Sequence, residues 1–445
     1  MELKLFNSLS NKLEVFKPLE EGKVSMYVCG PTVYSYAHIG NLRPVVTFDI
    51  LRRLLEALGY EVTYISNITD IDDKIINAAL EENVSETVIS QRYEENFFDC
   101  CEKIHARRPT HVPHATLTIP RMIEFIQKLL DKGYAYQADG DVYFRVNMIK
   151  DYGKLSHFQV ENLKSGARIE ENVKKENALD FALWKKTETG IKFPAPFGEG
   201  RPGWHTECVV MIQEYYPNGR IDIHGGGFDL KFPHHENEIA QAEACFSHSI
   251  ATYWLHNGFI NVDDVKMSKS LGNVLLAKDL LANYGGNTLR MAMISSHYRS
   301  PLNISEEVLI SAATEVNNIL NPLKQVDIQL QLNKIKVDNT LNDENIKTNF
   351  LSALCDDLNT ANGLSVLFQT IKELNQILRR QDYNRALVLR NNILEMLDIL
   401  GLEYKAPILS ASDIELFKQW KAYRKAKDFT KADELRTELI KRGLM

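Results

Sequence analysis

The chain has 445 residues, of which 44% are hydrophobic and 25% are charged, and at about 100 to 200 residues per domain this length predicts two to four globular domains. No run of about 18 apolar residues occurs and Met1–Ser10 lack an apolar core, which excludes a membrane-spanning helix and a signal peptide and predicts a cytoplasmic protein. The net charge of -7 argues against non-specific binding to nucleic acid, and six cysteines are too few for a disulfide framework in a chain of this size.

A strand followed by a helix is predicted near the start of the chain. Lys23–Val28 has the pattern of a buried strand, and apolar residues recur at helical spacing from Leu42 to Leu58. Gly40 and Asn41 therefore lie where a helix begins. Because the free N–H groups at a helix N-terminus bind phosphate, this junction is a candidate phosphate site.

The first half of the chain alternates strand-like and helix-like segments, which is typical of an α/β fold with a parallel sheet. A second strand, Tyr60–Ile65, runs into a polar turn at 67–74. Since open parallel sheets bind ligands beyond the carboxyl ends of their strands, we expect these polar residues near a binding site. Helices are predicted at about 87–105 and 121–132.

Residues 107–195 are predicted to be an insertion that interrupts the α/β order. Within it, Asp139-Gly140 separates two apolar segments and predicts a hairpin. The sheet pattern resumes with a strand at Arg220–His224, which a run of three glycines at 225–227 follows.

The remaining part of the chain is predicted to be mainly helical. Pro233 fits the first turn of a helix that continues to Ala244. From about Ala277 onward the apolar residues have helical spacing, whereas 324–346 is polar and weakly patterned. We expect that segment to be an exposed connection.

Two cysteines, a histidine and a glutamate could together bind a metal ion. Cys29 follows the first strand, and His234 and Glu238 lie four residues apart on one face of the predicted helix. With Cys208 they offer two sulfurs, an imidazole and a carboxylate, which suits Zn²⁺. His235 would share the helix face with Glu238 almost as well, and each cysteine taken alone is more commonly a small buried apolar residue.

A second group of residues could bind phosphate. His38 precedes Gly40 at the start of the helix, and Lys266-Met-Ser-Lys-Ser270 is a basic loop with two hydroxyls. Positioned donors of this kind stabilise negative charge on a transferring phosphoryl group. The glycines after His224 would let a nucleotide approach the backbone closely. Taken singly, a Lys- and Ser-rich loop is usually only solvated, and a glycine run is usually a tight turn.

His38-Ile-Gly-Asn41 together with Lys266-Met-Ser-Lys-Ser270 resembles the paired signature of the class I aminoacyl-tRNA synthetases. Further segments narrow the resemblance to the cysteinyl-tRNA synthetases, and they lie at 27–34, 67–74, 200–208, 222–229, 232–238 and 297–303. The resemblance covers nearly the whole chain. It implies a Rossmann-like catalytic domain at 1–106 and 196–260, a connective insertion at 107–195, a stem-contact region with the basic loop at 261–323, and a mainly α-helical C-terminal tRNA-binding region at 324–445.

The resemblance also implies an activity. Members of that family activate L-cysteine with ATP and Mg²⁺ to cysteinyl-adenylate and transfer the cysteinyl group to the 3′-terminal ribose of tRNA-Cys. We therefore expect tRNA-Cys, L-cysteine and ATP as partners and a monomeric protein without membrane contact. The alternatives are a related cysteine ligase with a small amine acceptor, a zinc-dependent hydrolase and a noncatalytic zinc module that binds RNA.

Roles for individual residues follow from the same resemblance. One Zn²⁺ per chain, which receives the substrate thiol, would be held by Cys29, Cys208, His234 and Glu238. The catalytic residues would be His38, Asn41, Lys266 and Lys269, and ATP would also contact Gly40, Gly226 and Asp229. Cysteine would be bound by Cys29, Thr69 and Trp204. Asn41 stands where the class signature has histidine, and its amide can still donate a hydrogen bond.

The end of the chain is a candidate tRNA-binding surface. From Ala411 to Met445 there are nine Lys or Arg residues against six Asp or Glu residues, with Trp420 and Tyr423 among the basic ones. Basic residues contact the phosphate backbone and aromatic rings stack on unpaired bases. A solvated helix of mixed charge would have a similar pattern. By the resemblance, members of the family usually continue through a short further segment, so the extent of anticodon reading by this chain is left open.

Overall fold

The structure is a computed structural model that describes residues 1–157, 174–267 and 273–445, with Lys266 described by its backbone alone. Among these residues, no helix combines the length and apolar character that crossing a bilayer requires. The chain forms two compact units. The first comprises Met1–Gly286, Tyr298–Ser305 and Cys355–Leu358, and the second comprises Asn287–His297, Glu306–Leu354 and Asn359–Met445.

The first unit combines strands and helices. Its strands are β1 (Lys4–Asn7), β2 (Lys12–Val15), β3 (Lys23–Val28), β4 (Glu61–Ser66), β5 (Ala135–Ala138), β6 (Asp141–Phe144), β7 (Phe181–Lys186), β8 (Gly200–Pro202), β9 (Ile221–Gly227), β10 (Ala251–Asn257), β11 (Ile260–Val262), β12 (Val265–Lys266) and β13 (Leu302–Ile304). Its helices are α1 (Ile39–Ala57), α2 (Asp73–Glu82), α3 (Glu86–Lys103), α4 (Ala115–Asp131), α5 (Trp204–Tyr215), α6 (Glu236–Phe246) and α7 (Ala277–Tyr284).

A parallel sheet in the strand order β10-β9-β3-β4 forms the centre of this unit. The predicted α/β fold with a parallel sheet is confirmed, and β3 has the bounds that the sequence predicts. Tyr27 pairs with Ile65 on one side and with His224 on the other, so β3 is an inner strand. Because the strands are parallel, their carboxyl ends lie at one edge, where Cys29 follows β3.

The strand predicted to end at His224 is longer, because β9 continues through Gly227, and the glycine run is not the tight turn that such a run usually forms. Neighbours on both sides hold the glycines in the sheet, since Gly225 pairs with Val28 of β3 and with Leu255 of β10. The glycines also allow α1 to pack directly on the strand. A Cβ atom at Gly225 would lie 2.2 Å from the ring of Phe48, so this position accepts no side chain without a shift of the helix.

The helix predicted to begin at Pro233 begins later, at Glu236. Phe232 is extended, with φ -142° and ψ 133°, which is the conformation that a residue before proline favours. Lys231–His235 is a kinked segment ahead of α6 that Phe232 interrupts. His234 therefore lies in that segment, and Glu238 lies in the first turn of the helix.

The other strands form smaller sheets. The insertion contains an antiparallel sheet in the order β5-β6-β7-β8. Its first hairpin is confirmed at the predicted turn, where Asp139 and Gly140 have φ values of 52° and 89°, as a two-residue turn with positive φ requires. Strands β1 and β2 pair separately, and β11 pairs with both β12 and β13.

The second unit is helical in the part of the chain that is described, which agrees with the predicted mainly α-helical C-terminal region. Its helices are α8 (Gly286–Ile294), α9 (Glu306–Leu332), α10 (Glu344–Cys355), α11 (Thr360–Arg380), α12 (Tyr383–Leu400), α13 (Ala411–Lys425) and α14 (Phe429–Lys441). The last two helices pack against each other around a small apolar cluster that includes Phe417 and Leu439.

The connection predicted at 324–346 is wrong over its first part, because α9 continues to Leu332. A buried polar residue obscures the helical pattern there. Asp327 is 5% exposed and accepts hydrogen bonds from Arg390 Nε at 2.5 Å and from the Tyr404 hydroxyl at 2.6 Å. An aspartate looks like a surface residue in the sequence until these partners are known.

Candidate active site and metal centre

The structure brings the candidate metal ligands together at the carboxyl end of β3. Cys29 follows β3, Cys208 lies on α5, His234 lies just ahead of α6 and Glu238 lies in its first turn. One ligand atom from each residue can be chosen so that all of them lie within 4.8 Å of one another. Residues that are far apart in sequence thus form a compact group.

The spacing of these atoms fits a tetrahedral zinc site. At the usual Zn–S and Zn–N or Zn–O bond lengths, the edges of the tetrahedron are about 3.8 Å for S to S, about 3.6 Å for S to N or O, and about 3.4 Å for N to O. The two sulfurs lie 3.6 Å apart, and Cys208 Sγ lies 3.6 Å from His234 Nε2. Glu238 Oε1 lies 3.8 Å from Cys29 Sγ and 3.0 Å from His234 Nε2.

The protein surroundings alone hold the two thiols and the imidazole of His234 uncharged. Burial, reinforced by Cys208 and Glu238, raises the pKa of Cys29 well above its usual value, and burial also raises the pKa of Cys208. Burial, with His205 and His224, lowers the pKa of His234 well below its usual value. A neutral imidazole is ready to bind a metal, whereas both thiols have to lose their protons to the solvent when a cation binds.

A second set of ligand atoms, from Cys29, His224, His235 and Glu238, also lies within 4.8 Å. In it, His224 Nε2 lies 2.7 Å from Glu238 Oε2, which is a hydrogen-bond distance and shorter than the edge of about 3.4 Å between two ligands of one zinc ion. His224 therefore fits as the partner that orients Glu238, and the set with two sulfurs fits the metal better.

Further histidines surround the group. His205 Nδ1 lies 3.0 Å from His234 Nδ1, and His235 Nδ1 lies 2.8 Å from His256 Nε2. His256 Nδ1 in turn lies 2.8 Å from the hydroxyl of Ser8. Sequence reasoning does not identify His224, His205 or His256 as parts of the site. The one available signal is that the motif at 200–208, which contains Cys208, also contains His205.

A cleft of about 430 Å³ opens at the same edge of the sheet. The residues that line it include Cys29 and five of the other predicted site residues, namely His38, Gly40, Asn41, Trp204 and Asp229. The start of α1 therefore borders the same space as the sulfur of Cys29. Thr69 and Gly226 are buried and are not among the described residues that line this cleft.

The start of α1 is shaped for a ligand. Asn41 Oδ1 accepts a hydrogen bond from the backbone N–H of His38 at 3.0 Å, which leaves the Asn41 amide N–H₂ as its donor group. A Cβ atom at Gly40 would lie 3.0 Å from the His38 ring and 3.0 Å from Met267. Glycine at this position leaves the start of the helix open to a ligand.

Trp204 lies against one of the metal-ligand candidates. Its ring stacks on the imidazole of His234, with 4.1 Å between centroids and 20° between planes. The side chain is 39% exposed and also lines the cleft. One face of the indole thus covers His234, while the residue borders the space where a substrate would lie.

Thr69 belongs to a buried network behind the cleft. Its hydroxyl donates to Glu207 Oε2 at 2.6 Å and accepts from Asn67 Nδ2 at 3.3 Å. Burial raises the pKa of Glu207 well above its usual value, and the bond from Thr69 opposes that shift. Glu207 is another residue that sequence reasoning misses, although its position directly before Cys208 marks it as buried and polar.

The basic loop lies partly outside the described residues. Lys269 falls in the stretch 268–272, which is not described, and only the backbone of Lys266 is given. The described residues on either side of that stretch, Met267 and Val274, line the cleft. The backbone N–H of Ile39, the first residue of α1, donates to the carbonyl of Leu275 at 3.0 Å.

Comparison with known proteins identifies the family. The family model for the class I (C) tRNA synthetase catalytic domain matches residues 15–314, and the model for the DALR domain matches 349–405. A curated relative from Acholeplasma laidlawii, named cysteine–tRNA ligase, is 45% identical over 443 residues, which cover 100% of both chains. The chain belongs to the cysteine–tRNA ligase family. A cysteine–tRNA ligase from Brevibacillus brevis is 43% identical over 457 residues, covering 100% of this chain and 97% of the relative.

Solved structures of other synthetases share the fold. A Mycobacterium tuberculosis methionyl-tRNA synthetase in complex with methionyl-adenylate has a TM-score of 0.61 at 12% identity, over 85% of this chain and 89% of that chain. A leucyl enzyme, LeuRS, from Agrobacterium radiobacter K84, solved in a ternary complex with tRNA, has a TM-score of 0.59 at 10% identity, over 87% and 84%. The cysteine–tRNA ligase family thus shares its architecture with synthetases named for other amino acids.

The C-terminal helices carry the basic and aromatic residues that the sequence singles out. Arg424 lies over the ring of Trp420 at 5.1 Å, and Lys431 lies over the ring of Tyr423 at 5.2 Å. Lys421 is exposed. In this member of the cysteine–tRNA ligase family, α13 and the start of α14 therefore present cations and aromatic rings together.

Proposed function

We propose that this chain is a cysteine–tRNA ligase that activates L-cysteine with ATP and Mg²⁺ to cysteinyl-adenylate and transfers the cysteinyl group to the 3′-terminal ribose of tRNA-Cys. The observation that carries the proposal is the position of a thiol-rich metal-ligand group beside the N-terminus of α1, around one cleft at the carboxyl edge of the sheet. Family membership over the full chain supports it independently.

We infer that Cys29, Cys208, His234 and Glu238 hold one Zn²⁺. When bound, the ion supplies an attachment point for a thiolate and lowers the pKa of the substrate thiol. Such chemistry matters for selection because cysteine and serine differ only in sulfur and oxygen. A pocket that relies on shape and apolar contact separates such near-isosteres by only about 100-fold.

The residues of the chain then position the reacting groups. Gly40 at the start of α1, His38 and Asn41 border the cleft, where they would hold the phosphates of ATP. The cysteine carboxylate attacks the α-phosphate and pyrophosphate leaves, so the reaction needs positioning and charge stabilisation rather than a covalent nucleophile. Trp204 borders the amino-acid end of the cleft, and Asp229 offers a carboxylate at the nucleotide end.

The alternatives have less support. A cysteine ligase with a small amine acceptor would not need the DALR region, yet the chain carries that match and aligns with tRNA ligases along their whole length. A zinc hydrolase needs a free carboxylate as its base. Both oxygens of Glu238 are already engaged, one 3.0 Å from His234 and the other 2.7 Å from His224.

We assign tRNA binding to the later parts of the chain. The basic, aromatic surface of α13 and α14 carries groups that suit a phosphate backbone and unpaired bases, and the DALR match at 349–405 lies in the same part of the chain. The domain boundaries drawn from the sequence, a monomeric state and a cytoplasmic location remain predictions from the family resemblance.

The test is charging of a tRNA-Cys transcript by the zinc-loaded full-length chain, measured with radiolabelled cysteine and with serine as the control. We expect cysteine to be attached to the 3′ end in an ATP-dependent reaction. Activation of cysteine without charging of the transcript would instead support the small-acceptor ligase. Hydrolytic release of a product without ATP would support the hydrolase.

A further inference from the structure

A buried side-chain oxygen at the cleft has no partner within the protein as described. Asn257 is the last residue of β10, is 3% exposed and lines the cleft. Its amide N–H₂ donates to the carbonyl of Gly258 at 3.1 Å. Among the described residues, none donates a hydrogen bond to Asn257 Oδ1. Since leaving a buried acceptor unpaired is unfavourable, this oxygen is suited to a ligand that brings a donor.

The orientation of the amide is fixed by its neighbours. Because the Asn257 N–H₂ group faces the Gly258 carbonyl, the oxygen has to face the other way. Gly258 is itself held, since its N–H donates to the Tyr298 carbonyl at 2.8 Å. Arg43, which is buried, donates to the carbonyls of Phe259 and Ser300 at 2.6 and 2.5 Å. The acceptor is therefore positioned before any ligand arrives.

The place of Asn257 in the sheet indicates which part of the substrate it meets. Asn257 pairs with Gly227 of β9, and Asp229, another cleft residue, follows two positions later. Strand β9 separates β10 from β3, so at about 4.8 Å per strand Asn257 lies about 10 Å to one side of the strand that leads to Cys29. It lines the same cleft as Cys29 but is displaced from the thiol end.

We propose that Asn257 Oδ1 accepts a hydrogen bond from the nucleoside half of ATP, and that Asn257 is a specificity-determining residue for the nucleotide. This inference rests on the proposed ligase function. The donor is either the adenine amino group or a ribose hydroxyl, and both offer the same hydrogen-bonding chemistry to an amide oxygen. Selection arises because an analogue without that donor leaves a buried acceptor unpaired.

The test compares wild type with Asn257→Leu in cysteine-dependent exchange of pyrophosphate into ATP, 2′-deoxy-ATP, 3′-deoxy-ATP and purine riboside triphosphate. For wild type, we expect one analogue to have a KM about tenfold above that of ATP, and that analogue identifies the donor. In Asn257→Leu, the KM for ATP rises by about the same factor and the difference between ATP and that analogue disappears. The KM for cysteine stays unchanged.

A matched control lies on the same strand. The Thr252 hydroxyl oxygen on β10 also lacks a partner among the described residues, but Thr252 is not among the described residues that line the cleft. Thr252→Val should therefore discriminate between the nucleotides as wild type does. Asn257→Ala provides a second variant should the leucine variant have a lowered melting temperature.

Two results would overturn the inference. One is an unchanged KM for every nucleotide in a folded Asn257 variant. The other is an equal rise for all nucleotides with the wild-type discrimination retained, because a merely structural role would produce that pattern. Failure of the proposed function would be distinguishable from failure of this inference, because wild type itself would then show no cysteine-dependent pyrophosphate exchange.

Discussion

Replacing His224 by phenylalanine removes the donor that faces Glu238 but keeps an aromatic ring of similar size. His224 Nε2 lies 2.7 Å from Glu238 Oε2, and both side chains are fully buried. The His224 ring stacks on Trp254 with 4.5 Å between centroids, a contact that phenylalanine can retain. A hydrogen bond to a charged group contributes about 1.5 to 3 kcal/mol, which corresponds to about 10- to 150-fold in a binding constant. Loss of a partner that orients a metal ligand typically costs about 10- to 100-fold in metal affinity.

We therefore expect His224→Phe to bind Zn²⁺ about 10- to 100-fold more weakly than wild type. The measurement is competition for Zn²⁺ with a chromophoric chelator at fixed pH, using protein stripped of metal beforehand. His248→Phe is the matched control, because His248 stacks on Phe246 and lies outside both candidate ligand sets. Equal zinc affinity in wild type and a folded His224→Phe would refute the reasoning that His224 orients Glu238.

Three further predictions follow from the same geometry. Cys208→Ser should lose cysteine-dependent pyrophosphate exchange or its preference for cysteine over serine, and an unchanged preference would assign the metal a purely structural role. Trp204→Leu should raise the KM for cysteine about fivefold and leave the KM for ATP unchanged, because the Trp204 ring stacks on His234 at 4.1 Å. Steady-state exchange kinetics measure both KM values, and an equal rise in the two would contradict this prediction. Gly225→Ala should lower the free energy of unfolding by about 1 to 3 kcal/mol, since the new Cβ would lie 2.2 Å from the Phe48 ring. Urea denaturation measures this change. An unaltered urea midpoint would contradict the prediction and would mean that α1 shifts without loss of stability.

The sequence predicts the parts of the fold that depend on local patterns. Strand β3 has the predicted bounds, and the hairpin at Asp139-Gly140 follows from the positive φ values that this dipeptide tolerates. The glycines at 225–227 are a counterexample, because pairing on both sides and the close approach of Phe48 hold them in a strand. Neither effect is visible from neighbours in the sequence, since both come from segments far along the chain.

In the candidate site, too, local sequence predicts the residue types, whereas contacts between distant segments decide which residues come together. The residue types of Cys29, Cys208, His234 and Glu238 suggest a metal, but their convergence depends on how β3, α5 and α6 pack. Partners such as His224 and Glu207 escape sequence reasoning because a buried polar residue acquires its role only from the group it contacts. Asp327 escapes for the same reason, since its partners Arg390 and Tyr404 lie more than one helix away.

The central claim is that a thiol-binding metal centre beside a phosphate-binding helix N-terminus selects cysteine for activation. The most direct measurement is the rate of pyrophosphate exchange into ATP by the zinc-loaded full-length chain, with cysteine and with serine at matched concentrations. We predict exchange with cysteine at a rate well beyond the factor of about 100 over serine that shape alone provides, and loss of that exchange when the metal is removed. Equal exchange with the two amino acids, or exchange that persists unchanged without metal, would contradict the account.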